Sequence, residues 1–164
     1  MSVEAANALV NVQKELKSMN YGLKVFDAYR PQQAVDHFVR WAKDIKDVRM
    51  KNQYYPEIDK SLLFEQGYIR SKSGHTRGST VDLTIINMAD PNTGKELNMG
   101  TQWDFFSPKS WPSSNDVSEV QKSNCMLLQN IMIRRGFEPL KEEWWHFTLK
   151  EEPFPDTYFT FSIK

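Results

Sequence analysis

The chain has almost no cysteine, no net charge and no long apolar run, and each shortage removes a class of protein. A single cysteine, Cys125, cannot close an internal disulfide. Lys+Arg and Asp+Glu both number 21, so there is no basic footprint for nucleic acid and no polybasic arm for a membrane surface. No apolar stretch approaches the roughly 20 residues of a membrane-spanning helix. No basic-then-apolar leader opens the chain, which fits a cytoplasmic or a periplasmic address. Repeats, low-complexity segments and linkers are also missing. Histidine is scarce, with only three in 164 residues.

What is present is an ordinary globular composition, 40 % hydrophobic and 26 % charged, long enough to bury one core. We therefore expect a single domain over residues 1–164. Leu9, Val12, Leu16 and Met19 recur at helical spacing, and Asn20-Tyr21-Gly22 is a stop. Residues 23–29 read as a strand. Pro31 suits a first helical position, and Val35, Phe38, Val39, Ala42 and Ile45 give the helix after it an apolar face. Within 50–70, only 61–66 suggests a helical turn. Residues 71–80 read as a loop and 81–86 as a buried strand. Residues 90–94 form a turn between hairpin arms, and 107–115 a long polar loop. A third long helix is expected over 117–135, with Val120, Leu127, Leu128 and Ile131 apolar and Gly136 as its cap. Cys125 would share its face with Gln121, Leu128 and Met132, as a buried small apolar residue. Residues 145–149 read as the last central strand. The layout is α+β, with helices packed on a small, mostly antiparallel sheet.

Two motifs carry chemistry. The first is Ser73-Gly74-His75-Thr76-Arg77-Gly78-Ser79-Thr80-Val81-Asp82, and the second is Glu143-Trp144-Trp145-His146. Together they offer two imidazoles, a carboxylate and a spare carboxylate. That inventory fits a hydrolytic zinc site with an open position for water, and Glu143 could take a proton from it. Gly74 and Gly78 let the loop fold back, so that residues seven apart can converge. Taken alone, this loop reads more readily as polar surface than as a metal site, since short motifs match by chance. Glu143 and His146 would point to opposite faces of a continuous strand. They converge only if Glu143 sits on the turn entering it. A solvated acidic turn beside two core tryptophans is the competing reading. Arg30, at a strand end, either stabilises an oxyanion or pairs with Asp27. Asp104 lies among aromatics, where it binds a cationic amine or caps a turn. His37 reads as solvated.

With these elements in order, the chain resembles the zinc D-alanyl-D-alanine dipeptidases within the wider group of D-Ala-D-Ala carboxypeptidases and hedgehog-like folds. The resemblance runs from about residue 5 onward. It rests on Asp27-Ala28-Tyr29-Arg30-Pro31, the Ser73–Asp82 element, Met99-Gly100-Thr101-Gln102-Trp103-Asp104-Phe105 and Glu143-Trp144-Trp145-His146. It implies one zinc per chain on His75, Asp82 and His146, at the sheet. It implies Glu143 as catalytic base and Arg30 as stabiliser of the tetrahedral intermediate. Asp104 would bind the substrate's amine, Ser73 would be a polar pocket residue, and Asp27 would orient Arg30. The expected reaction is hydrolysis of the D-Ala-D-Ala dipeptide. The alternatives are a D,D-carboxypeptidase or peptidoglycan stem peptidase, and a zinc-binding module without catalysis. Two departures stand out. Thr80 occupies a place where the wider group usually has alanine, which would tighten the site. The several tens of residues that family members carry before the first helix are not seen in this chain. The expected partner is a small dipeptide, with no nucleic acid and no membrane, and nothing in the sequence sets an oligomeric state.

Overall fold

A computed structural model describes residues 1–89 and 94–163. Among the described residues, four α-helices and five strands follow the order α1 (Val3–Lys17), β1 (Tyr21–Asp27), α2 (Gln32–Lys43), α3 (Lys51–Tyr54), β2 (Thr80–Asn87), β3 (Lys95–Glu96), α4 (Glu119–Arg134), β4 (Phe137–Pro139) and β5 (His146–Leu149). The architecture is the expected α+β. The sheet runs β1-β2-β5-β4, with β3 pairing β2 off that path, and its ladders are antiparallel. The turn expected at 90–94 falls largely outside the described residues.

Strand β2 explains the layering. It is buried from Thr80 to Ile85, and its side chains alternate between faces. Val81, Leu83 and Ile85 join Leu9, Val12 and Leu16 of α1, Leu128, Ile131 and Met132 of α4, and Phe147 of β5 in the main core. Thr80 and Asp82 face the other way, as do Thr148 and His146 of β5 directly beside them. One face of the sheet is thus the core, and the opposite face carries polar chemistry. A second apolar cluster, built on Ala42, Tyr55, Ile58, Leu63 and Ile69, supports that polar side from across a cleft.

Several elements depart from expectation. Helix α1 ends at Lys17, and Met19 is exposed, because the chain reverses through Asn20 at φ 59°. Strand β1 therefore begins at Tyr21, two residues early. It is an edge strand, which leaves Val25 exposed. Phe38 and Ile45 are also exposed on and after α2, and only Val35 and Ala42 of that expected face are buried. In α4, Val120 is 69 % exposed while Cys125, Leu128, Ile131 and Met132 are buried. The helix starts on a capping box, in which Ser118 and Gln121 satisfy each other's backbone N–H. Gly136 follows it at φ 88°, as a cap requires. Residues 73–78 contain a tight 3-10 turn, and the polar segment after Phe106 buries Ser107, Ser110 and Ser114. Strand β4 was not expected at all.

Candidate active site

The site grows from register. Asp82 pairs across β2 with Asp27 of β1 on one side and His146 of β5 on the other. Between Val25 and Asp27 the β1–β2 register shifts by a bulge. Bulges re-aim side chains, and this one sets Asp27 opposite Asp82. His75 arrives from the 3-10 turn Gly74–Arg77, which Ser73 caps by accepting from the His75 N–H at 3.3 Å. Gly78 closes the turn at φ 84°. Thr80 packs its hydroxyl where a side chain at Gly74 would stand, since a Cβ there would lie 2.5 Å from Thr80 Oγ1. The Thr80 hydroxyl thus stands directly against this turn.

His75, Asp82 and His146 each offer a ligand atom, and these lie within 4.8 Å of one another. His75 Nδ1–H donates to the Ala28 carbonyl at 2.8 Å, which leaves Nε2 as the bare nitrogen facing Asp82. That Nε2 lies 3.3 Å from Asp82 Oδ1. His146 Nδ1 lies 3.0 Å from the same oxygen. Both His75 Nε2 and Asp82 Oδ1 are buried without a hydrogen-bond partner. Buried polar atoms left unpaired are costly, and a shared cation would satisfy them together. The donor set, two imidazoles and one carboxylate, suits a metal that keeps a further position open. Asp82 Oδ2 accepts from Trp103 Nε1 at 3.3 Å, an outer contact that orients the ligand. Burial alone would raise the Asp82 carboxyl, but the His146 and His75 rings beside it outweigh that and hold it below its ordinary value.

Glu143 lies outside β5, on the turn before it, as convergence with His146 requires. Its Oε2 is 3.6 Å from His146 Nδ1. Burial pushes its carboxyl up to about 7; the His146 ring opposes this, and Asp82 and Asp104 add to it. An acid in that range exchanges protons readily near neutral pH. Arg30 is held by Asp27, whose Oδ2 accepts from Nε at 2.8 Å and ion-pairs with Nη2 at 2.7 Å. Its Nη2 also lies 3.8 Å from Asp82 Oδ2. The two readings of Arg30 are therefore compatible: it pairs with Asp27 and still reaches the site. Asp104, at φ 58°, has no ion-pair partner among the described residues, and burial followed by the Asp82 charge raises it to about 6. All but Asp27 of these residues line one cavity of about 880 Å³, whose far wall includes Trp41, Tyr54, Tyr68 and Phe106. His37 is exposed, at the rim of that cavity.

Sequence reasoning missed the second layer. The Ala28 carbonyl and Trp103 Nε1 fix two ligands, and neither role has a residue-type signature. The C-terminal segment was also unread. Glu152 accepts from Arg77 Nε and Nη2 at 2.8–3.0 Å, Phe159 N–H donates to the Thr76 carbonyl at 3.0 Å, and Tyr158 lines the cavity. The turn bearing His75 is clasped from outside.

The M15 peptidase family model, described as D-ala-D-ala dipeptidase, matches residues 1–164. The chain is 43 % identical to a D-alanyl-D-alanine dipeptidase of Streptomyces coelicolor, over 95 % of this chain and 76 % of the relative. It is 40 % identical to one of Enterococcus faecalis (96 % and 77 %) and 38 % identical to one of Enterococcus faecium (98 % and 78 %). Site geometry and likeness agree, and the chain belongs to the D-ala-D-ala dipeptidase family of M15 peptidases.

Proposed function

We propose that the chain is a zinc-dependent peptidase that hydrolyses the D-alanyl-D-alanine dipeptide to two D-alanines. The observation that carries this reading is the buried convergence of His75, Asp82 and His146, with two ligand atoms unpaired and Glu143 beside them. His75 Nε2, Asp82 and His146 would hold one zinc ion. When bound, zinc supplies Lewis-acid polarisation of water and of the scissile carbonyl. Glu143 takes the proton from the attacking water and returns it to the leaving amine. Arg30, anchored by Asp27, donates to the oxyanion as the carbonyl becomes tetrahedral. Asp104 pairs with the substrate's free ammonium, and Ser73 adds a polar group to the same cavity. The carboxylate at Asp104 without a cation is what favours a free dipeptide over a blocked or longer chain.

The test compares free D-Ala-D-Ala with its N-acylated form and with a longer stem peptide, using metal-loaded protein. Removing the partner of a buried charge costs about 3–5 kcal/mol, so the free dipeptide should be strongly preferred. Asp104→Ala should weaken that preference. Equal or better cleavage of the blocked or longer substrates would overturn the dipeptidase reading in favour of a carboxypeptidase.

A further inference from the structure

Arg30 is gripped on more than its ion-paired edge. Its Nε and Nη2 are both committed to Asp27 Oδ2, which fixes one edge of the guanidinium. Its face is covered by Phe38, whose ring centroid lies 5.2 Å from Arg30 Cζ. Phe38 stands on α2, one helical turn beyond Val35, which is buried. It remains 39 % exposed and lines the cavity with Arg30. A large apolar side chain left this open on the rim of a polar cavity contributes little to either core. Neither apolar cluster includes it. Its relation to the site is the stack on Arg30, with His37 at its edge, 6.4 Å between centroids.

We infer that Phe38 is a positioning residue for Arg30. An ion pair along one edge leaves the guanidinium plane free to swing about that edge. An aromatic face below the plane removes that freedom and excludes water from one side of the cation. The guanidinium, whose Nη2 lies 3.8 Å from Asp82 Oδ2, is then presented to the cavity in a fixed orientation, where an oxyanion would form. The stack acts only through Arg30, so it should matter most when charge develops on the substrate. This inference rests on the proposed role of Arg30 in the hydrolysis.

The test is a double-variant cycle on metal-loaded protein, reading kcat, KM, metal content and melting temperature. A cation stacked on a ring, partly desolvated, contributes enough that Phe38→Leu should lower kcat by roughly three- to twentyfold. KM should stay within about twofold, because the contact that Arg30 then makes less well is the one to the oxyanion in the transition state. Metal content and melting temperature should match the wild type. Phe38→Tyr, which keeps the ring, should restore kcat. In an Arg30→Ala background, Phe38→Leu should cost almost nothing more. An undiminished loss in that background, a change confined to KM, or no rescue by tyrosine would overturn the inference. If Arg30→Ala lowers kcat and Phe38→Leu does not, only this inference fails. If Arg30→Ala leaves kcat intact, the role of Arg30 in the hydrolysis fails and the inference goes with it.

Discussion

Glu143 and His146 are three residues apart and 3.6 Å from each other, yet the proposed mechanism gives them different offices. The imidazole belongs to the trio of close ligand atoms and the carboxylate does not. Glu143→Gln should therefore keep the metal and the fold while losing about 10²–10⁴-fold in turnover, the usual contribution of a general acid–base group. Elemental analysis beside a kcat measurement checks both halves. Loss of metal in that variant would place Glu143 among the ligands. At this scale, residue type carried much of the site. Imidazole and carboxylate are rare enough together, in a chain with three histidines, to mark a centre. The contacts that orient them were hidden, because a backbone carbonyl such as that of Ala28 looks the same at every position. Phe38 was legible only as an apolar helix residue, and its exposure depends on where α2 sits.

The turn Gly74–Arg77 is held in shape by its neighbour in the strand. Any side chain at position 74 would meet Thr80 Oγ1, at 2.5 Å from a Cβ. Gly74→Ala should destabilise the protein by about 1–3 kcal/mol, as overpacking does. Because the obstacle is a single hydroxyl side chain, Gly74→Ala/Thr80→Ala should be more stable than Gly74→Ala alone. Urea unfolding of the set decides it, and strictly additive losses would show that the clash is not the cause. Among the elements, the long helices and β2 were readable from periodicity. The start of β1 was misread because Asn20 turns the chain early, and its alternation fails at the bulge before Asp27. Strand β4 spans three residues ending at Pro139, too short for any pattern. Such features follow from pairing with distant strands, which local sequence does not state.

Across the whole molecule, the proposed ligands come from a turn, a central strand and the strand beside it. A metal that binds this arrangement and not the unfolded chain stabilises the fold by mass action, about 4 kcal/mol at a thousandfold excess over Kd. Chelation should lower the melting temperature of the wild type by several degrees. It should have no such effect on a His75→Ala/His146→Ala variant, and an equal shift in both would place the metal elsewhere. The row Asp27, Asp82, His146 across three adjacent strands has a further consequence in time. A ribosome delivers these residues in that order. Until β5 emerges, Asp82 can have Asp27 and His75 beside it but not the imidazole of His146. On the proposed assignment, the third ligand joins His75 and Asp82 only when β5 pairs with β2.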